Sequence, residues 1–74
     1  MVEEQIRIMK LLLSRLERIS ADSVVTHRAS GVRGSILRAL DDHEKGFPPP
    51  ESQLKRLTDT GYILLEKAAR EIGR

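Results

Sequence analysis

"HRASGVRGS", residues 27–35, decides how this chain folds. Gly31 and Gly34 sit between flanks of helical composition, and each costs a helix interior about 1 kcal/mol relative to alanine. A break there makes two short helices with a corner between them, whereas continuity makes one long helix. Apolar phase separates the two readings. Val25 and Ala29, before the glycines, stand in register with Val32, Ile36, Ala39 and Leu40 after them at about 3.6 residues per turn. A break would leave the two halves no reason to share a face, so the spacing predicts a continuous helix. On that helix Gly31 and Gly34 fall on the side away from the apolar stripe, alongside His27, Ser30 and Arg38.

The same periodicity extends in both directions. Upstream, Ile6, Met9, Leu13 and Leu16 form one row and Ile8, Leu12 and Ile19 a neighbouring one, which predicts a first helix over about 2–19 with an unusually wide apolar arc. Leu11 lies outside that arc. Glu3 and Glu4 at its start and Arg15 and Arg18 at its end suit the helix dipole. Ser20, Asp22 and Ser23 are candidate N-caps for a second helix over about 23–45, and Gly46 is a candidate C-cap ahead of "FPPP", which cannot continue a helix. Pro49 or Pro50 can open a third helix over about 50–73, with Leu54, Leu57, Gly61, Leu64, Leu65 and Ala68 on one face.

No segment alternates as a strand does. Three amphipathic segments with short connections predict a single all-α domain over 1–74, an antiparallel three-helix bundle running up, down and up. Its expected core is Leu13, Leu16, Val25, Val32, Ile36, Leu40, Leu57, Leu64, Leu65 and Ala68, with close helix approach at Gly61.

An alternative fold comes from a resemblance. "ASGVRGSILRAL" resembles the Gly-Val turn and recognition helix of repressor-type domains, and "LTDTGYILLEKA" is similar to the helix that follows the wing in winged-helix regulators. The resemblance implies a small winged-helix or helix-turn-helix domain acting as a DNA-binding transcriptional regulator, with Arg33, Ser35 and Arg38 toward the major groove. Two departures put the bundle first. His27 stands four positions before the turn glycine, where a small apolar residue is usual, and "FPPPESQLKR" lacks the alternating strands of a wing. "GVRG" also fits the G-x-x-G clamp of single-strand RNA modules, and its glycines a phosphate cradle, but both need strands that this sequence does not predict.

Composition narrows the chemistry further. The 74 residues carry 13 Lys plus Arg against 11 Asp plus Glu, a net charge of +2 spread evenly along the chain rather than clustered as a nucleic-acid footprint requires. Tyr62 and Phe47 are the only aromatic residues, too few for a base-stacking platform. Nucleic acid is therefore a possible but disfavoured partner. The absence of cysteine leans toward a reducing, cytoplasmic location. An acidic "MVEEQIRI" start and apolar runs as short as residues 11–13 and 62–65 predict neither signal peptide nor membrane span.

His27 and His43 are sixteen positions apart, more than four helical turns, so they cannot share a metal within one helix. No serine has a nucleophile-elbow context, and Asp41 and Asp42 read as a solvated helix end. The expectation is a protein with no catalytic residue, metal or cofactor.

What remains is surface. Leu11, Val24, Leu37 and Ile63 project off the main stripes of a domain whose core rarely supplies more than about 3–5 kcal/mol. This points to a small helical protein-interaction or self-assembly module, a homo-oligomer and/or the binder of a protein partner. Its expected contact surface comprises His27, Ser30, Gly31, Gly34 and Arg38 with Leu11, Leu37 and Ile63. A homo-oligomer would most simply be a two-fold dimer that uses the first helix.

Overall fold

A computed structural model describes residues 2–72, which form α1 (Val2–Leu16), α2 (Thr26–Glu44) and α3 (Glu51–Ile72), each packed against both others. No strand occurs among the described residues. The direction of each helix follows from its neighbours. Leu16, the last residue of α1, and Ile19 just beyond it share a small cleft with Thr26 and Ala29 at the start of α2, so these two helices are antiparallel. Arg15 and Ile19 share a larger cleft with Leu65 and Ala68, in the second half of α3, so α1 and α3 run parallel. The fold is the up-down-up bundle.

α2 passes through Gly31 and Gly34 without interruption, and neither has a positive φ. The corner that a helix-turn-helix needs is absent, as is any wing strand among the described residues. Continuity has a physical cause: Ala29, Ile36 and Ala39 are buried on one face, and only an unbroken helix keeps all three in phase.

Helix ends depart from the sequence expectation. α1 stops at Leu16 rather than residue 19, because Arg18 and Ile19 N–H donate to Arg15 and Leu16 carbonyls at 3.1 and 3.2 Å, a tighter turn that closes the helix. α2 starts at Thr26 rather than residue 23. Ser20 Oγ accepts from Asp22 N–H and Ser23 Oγ from Val25 N–H, both at 3.2 Å, so these hydroxyls serve the turn and leave Val25 at the N-cap without a side-chain cap bond.

At the other end of α2, Gly46 has φ 89°, its N–H donates to His43 O at 3.1 Å, and Phe47 N–H donates to Asp42 O at 2.8 Å. This pair of bonds is a Schellman cap, which requires the left-handed residue that glycine supplies. Pro50 precedes α3 rather than lying within it, its carbonyl accepting from Gln53 and Leu54 N–H. Residue 73, the expected end of the third helix, lies outside the described residues.

The core is built from the expected faces, rotated slightly. Leu16, Val25, Ile36 and Leu64 are buried as expected, whereas Leu13, Val32, Leu40, Leu57, Leu65 and Ala68 are half-buried and pack against the centre. Met9, Leu12, Ala29, Ala39 and Leu54 fill that centre, with Ile6 also buried. Each helix has two neighbours, so its most buried row points between them and the flanking rows stay partly open. Gly61 is buried where α3 meets α1, and a Cβ built there would stand 3.3 Å from Leu12 Cδ1.

Candidate functional site

On α2, His27, Ser30, Gly31 and Arg38 are exposed. Gly34 is half-covered by Arg38, whose Nη1 lies 4.0 Å from the position a Cβ would take. Arg38 Nη2 donates to Ser35 Oγ at 3.3 Å. Arg33 is half-buried and lines the small cleft with Leu16, Ile19 and Ala29. Arg33 and Ser35, two residues apart, therefore lie about 200° apart around the helix and do not share one outward row with Arg38.

The three apolar members of the expected surface are each about half exposed: Leu11 50%, Leu37 54% and Ile63 51%. Helical phase sets Leu11 on the outer side of α1 toward α3, Leu37 on the α1 flank of α2, and Ile63 on the outer side of α3 toward α2. The bundle spreads them over three faces.

The grooves between helices differ in chemistry. Arg7, Lys10 and Ser14 of α1 border one groove with Leu37 of α2, and Arg38 and Asp42 of α2 border another with Ile63 of α3, so each sets one exposed apolar side chain among polar ones. Between α1 and α3 apolar residues are more numerous. By helical phase Ile8 and Leu11 fall on one side and Tyr62, Leu65 and Ala69 on the other, and a cleft of about 460 Å³ at one end is lined by Leu65 and Ala69. Ile19, Leu65 and Ala68 give that cleft its apolar wall, with Arg15 and Arg18 also lining it.

Glu71 closes the same end by reaching from α3 to the α1–α2 connection. Its carboxylate accepts from Ser23 Oγ–H at 2.6 Å and from Val24 N–H at 2.9 Å. Sequence reasoning missed Tyr62 and Ala69 as surface residues and Glu71 as a tie. The first two are detectable as a row at helical spacing with Leu65, but a bond across 48 positions leaves no local signal.

Elsewhere the electrostatics are those of a solvated helical surface. Asp41 accepts from Lys45 Nζ at 2.9 Å, and this hydrogen bond together with the carboxylate's charge holds the Lys45 ammonium above its ordinary range. Arg70 and Glu66 pair in the same i,i+4 manner. His43 is half-buried at the end of α2, and its Nδ1 and Gln5 Oε1 are buried without a hydrogen-bond partner. His27 is exposed at the opposite end of α2. Among the described residues no three His, Cys, Asp or Glu side chains cluster as a metal site would require, and no helix is long and apolar enough to cross a membrane.

No protein-family model, curated protein or solved structure matches this chain.

Proposed function

We propose that this protein is a small protein-interaction or self-assembly module that works through its surface and not through catalysis. One observation carries the reading: among the described residues six large apolar side chains are exposed, at Leu11, Val24, Leu37, Phe47, Tyr62 and Ile63, around a core of ten buried apolar residues. Single exposed hydrophobes are ordinary, but so many on so small a core favour association, which stabilises the folded form by mass action. The lack of cysteine fits a reducing compartment such as the cytoplasm.

Light scattering after size exclusion, over a hundredfold dilution series, tests the self-assembly form of this reading. The expected mass is about twice the 8.4 kDa of the chain or more, falling on dilution. A constant 8.4 kDa would overturn it.

A further inference from the structure

Two strips of α1 carry the same heptad spacing. The inward strip, Ile6, Met9, Leu13 and Leu16, packs into the bundle. The outward strip, Glu4, Ile8, Leu11 and Arg15, repeats at intervals of four, three and four residues, which is the spacing of a coiled-coil seam. Across the groove, Thr58, Tyr62, Leu65 and Ala69 of α3 repeat at the same intervals. Arg15, Leu65 and Ala69 line one cleft, so the two strips meet at that end of the α1/α3 groove, and helical phase carries each strip back along the flank of its own helix. The bundle thus carries a second, outward seam with apolar residues on both sides of it.

The outward strip of α1 is also self-complementary. An acid stands at its N-terminal end, a base at its C-terminal end, and Ile8 and Leu11 between. Glu4 and Arg15 are about 16 Å apart along the helix, too far to meet within one chain. Both are exposed, and neither joins an ion pair among the described residues. Turned end for end against a copy of itself, the strip sets Glu4 against Arg15 twice and brings the two apolar centres together. A parallel copy would instead oppose like charges.

Surface area gives the scale. A compact chain of 8.4 kDa exposes about 4,600 Å², whereas this slender bundle, 43 × 19 × 16 Å, exposes 5483 Å². The difference, about 900 Å², follows from the elongated shape, which leaves long helix flanks open to a partner.

We propose that the occupant of the α1/α3 groove is a second copy of this chain, docked about a two-fold axis so that the Glu4–Ile8–Leu11–Arg15 strips run antiparallel. Tyr62 and Leu65 of each copy flank the paired strips and complete a core of four helices. This inference rests on the self-assembly reading and gives it a face and a register.

Sedimentation equilibrium of the full chain and its variants tests both, with far-UV circular dichroism confirming that each variant keeps its helicity. Leu11→Asp puts a charge at the two-fold centre and should weaken the dimer at least about tenfold. Glu4→Arg and Arg15→Glu should each weaken it about three- to tenfold at low salt, and the doubly exchanged variant should return to near the original affinity. A double variant as weak as the singles would overturn the antiparallel register. If Leu37→Asp or Ile63→Asp dissociates the oligomer while Leu11→Asp does not, self-assembly stands and this face falls. A chain that stays monomeric at every concentration defeats both.

Discussion

Gly61 and Gly31 are both helical glycines, yet their surroundings are opposite. Gly61, on α3, is buried with Leu12 of α1 against it, whereas nothing stands within 4 Å of the place where a Cβ of Gly31 would sit on α2. One glycine admits a neighbouring helix and the other faces open space. Residue type alone does not distinguish them, but phase does: Gly61 falls mid-stripe on α3, and Gly31 falls away from the stripe on α2. The buried glycine sets a distance between helices, and the exposed one only weakens its own helix.

The largest expected effect comes from filling the buried position. Gly61→Leu forces four heavy atoms into the α1/α3 contact and should destabilise the fold by about 1–3 kcal/mol through overpacking. A denaturant midpoint unchanged from the original would remove the close approach at Gly61 from the account. Filling the open positions should act in the other direction. Gly31→Ala with Gly34→Ala should stabilise the fold by up to about 1–2 kcal/mol, because alanine favours the helix and narrows the unfolded ensemble. Thermal unfolding with helicity monitored decides it, and a loss of stability would mean that one of these glycines holds a conformation alanine cannot adopt.

The start of α2 offers a smaller test of why its exposed face stays ordered. Val25 caps the helix without a side-chain bond, and Glu71 adds to the local serine bonds the tie that joins this connection to α3. Glu71→Ala removes an acceptor shared by Ser23 and Val24 and should cost about 1 kcal/mol. Amide exchange at Thr26 to Ala29 should quicken while exchange at Leu54 to Leu64 changes little. Uniform quickening throughout would show that the bond holds the whole bundle and not one helix end.

Much of this was legible in the sequence, and the limits have physical causes. The phase match across residues 27–35 predicted the unbroken α2, and Gly46 before "FPPP" predicted the cap, because both signals are local. The core centre was less accessible. Periodicity gives a face, but which row within it is deepest depends on where two neighbouring helices sit, so the sequence alone points to Leu13 where Met9 and Leu12 are the deeper residues. Helix ends at residues 16 and 26 were set by three-residue turns and serine bonds that compete with capping. As for the surface, the sequence marks Leu11, Leu37 and Ile63 as exposed, but only the packing of the helices spreads them over three faces.

The smallest expected effect sharpens the contrast between the two glycines most. Gly61→Ala should gain the helix preference of alanine, about 1 kcal/mol, yet its new methyl would stand 3.3 Å from Leu12 Cδ1, so that side chain must retreat by a few tenths of an ångström. Leu12 is 1% exposed and enclosed by the core, so its retreat has a cost, and the net change should lie within about 0.5 kcal/mol of zero. A double-mutant cycle with Leu12→Ala isolates the contact. Truncating Leu12 leaves a cavity that costs about 2–5 kcal/mol, and a methyl at residue 61 occupies part of it. Leu12→Ala should therefore cost about 0.5–1 kcal/mol less in the Gly61→Ala background than in the original, a coupling of the size expected for residues in contact. The same cycle between Gly31→Ala and Leu12→Ala should be additive. Additivity in both would mean that Leu12 accommodates the new methyl freely, and the tight contact would then have no energetic weight.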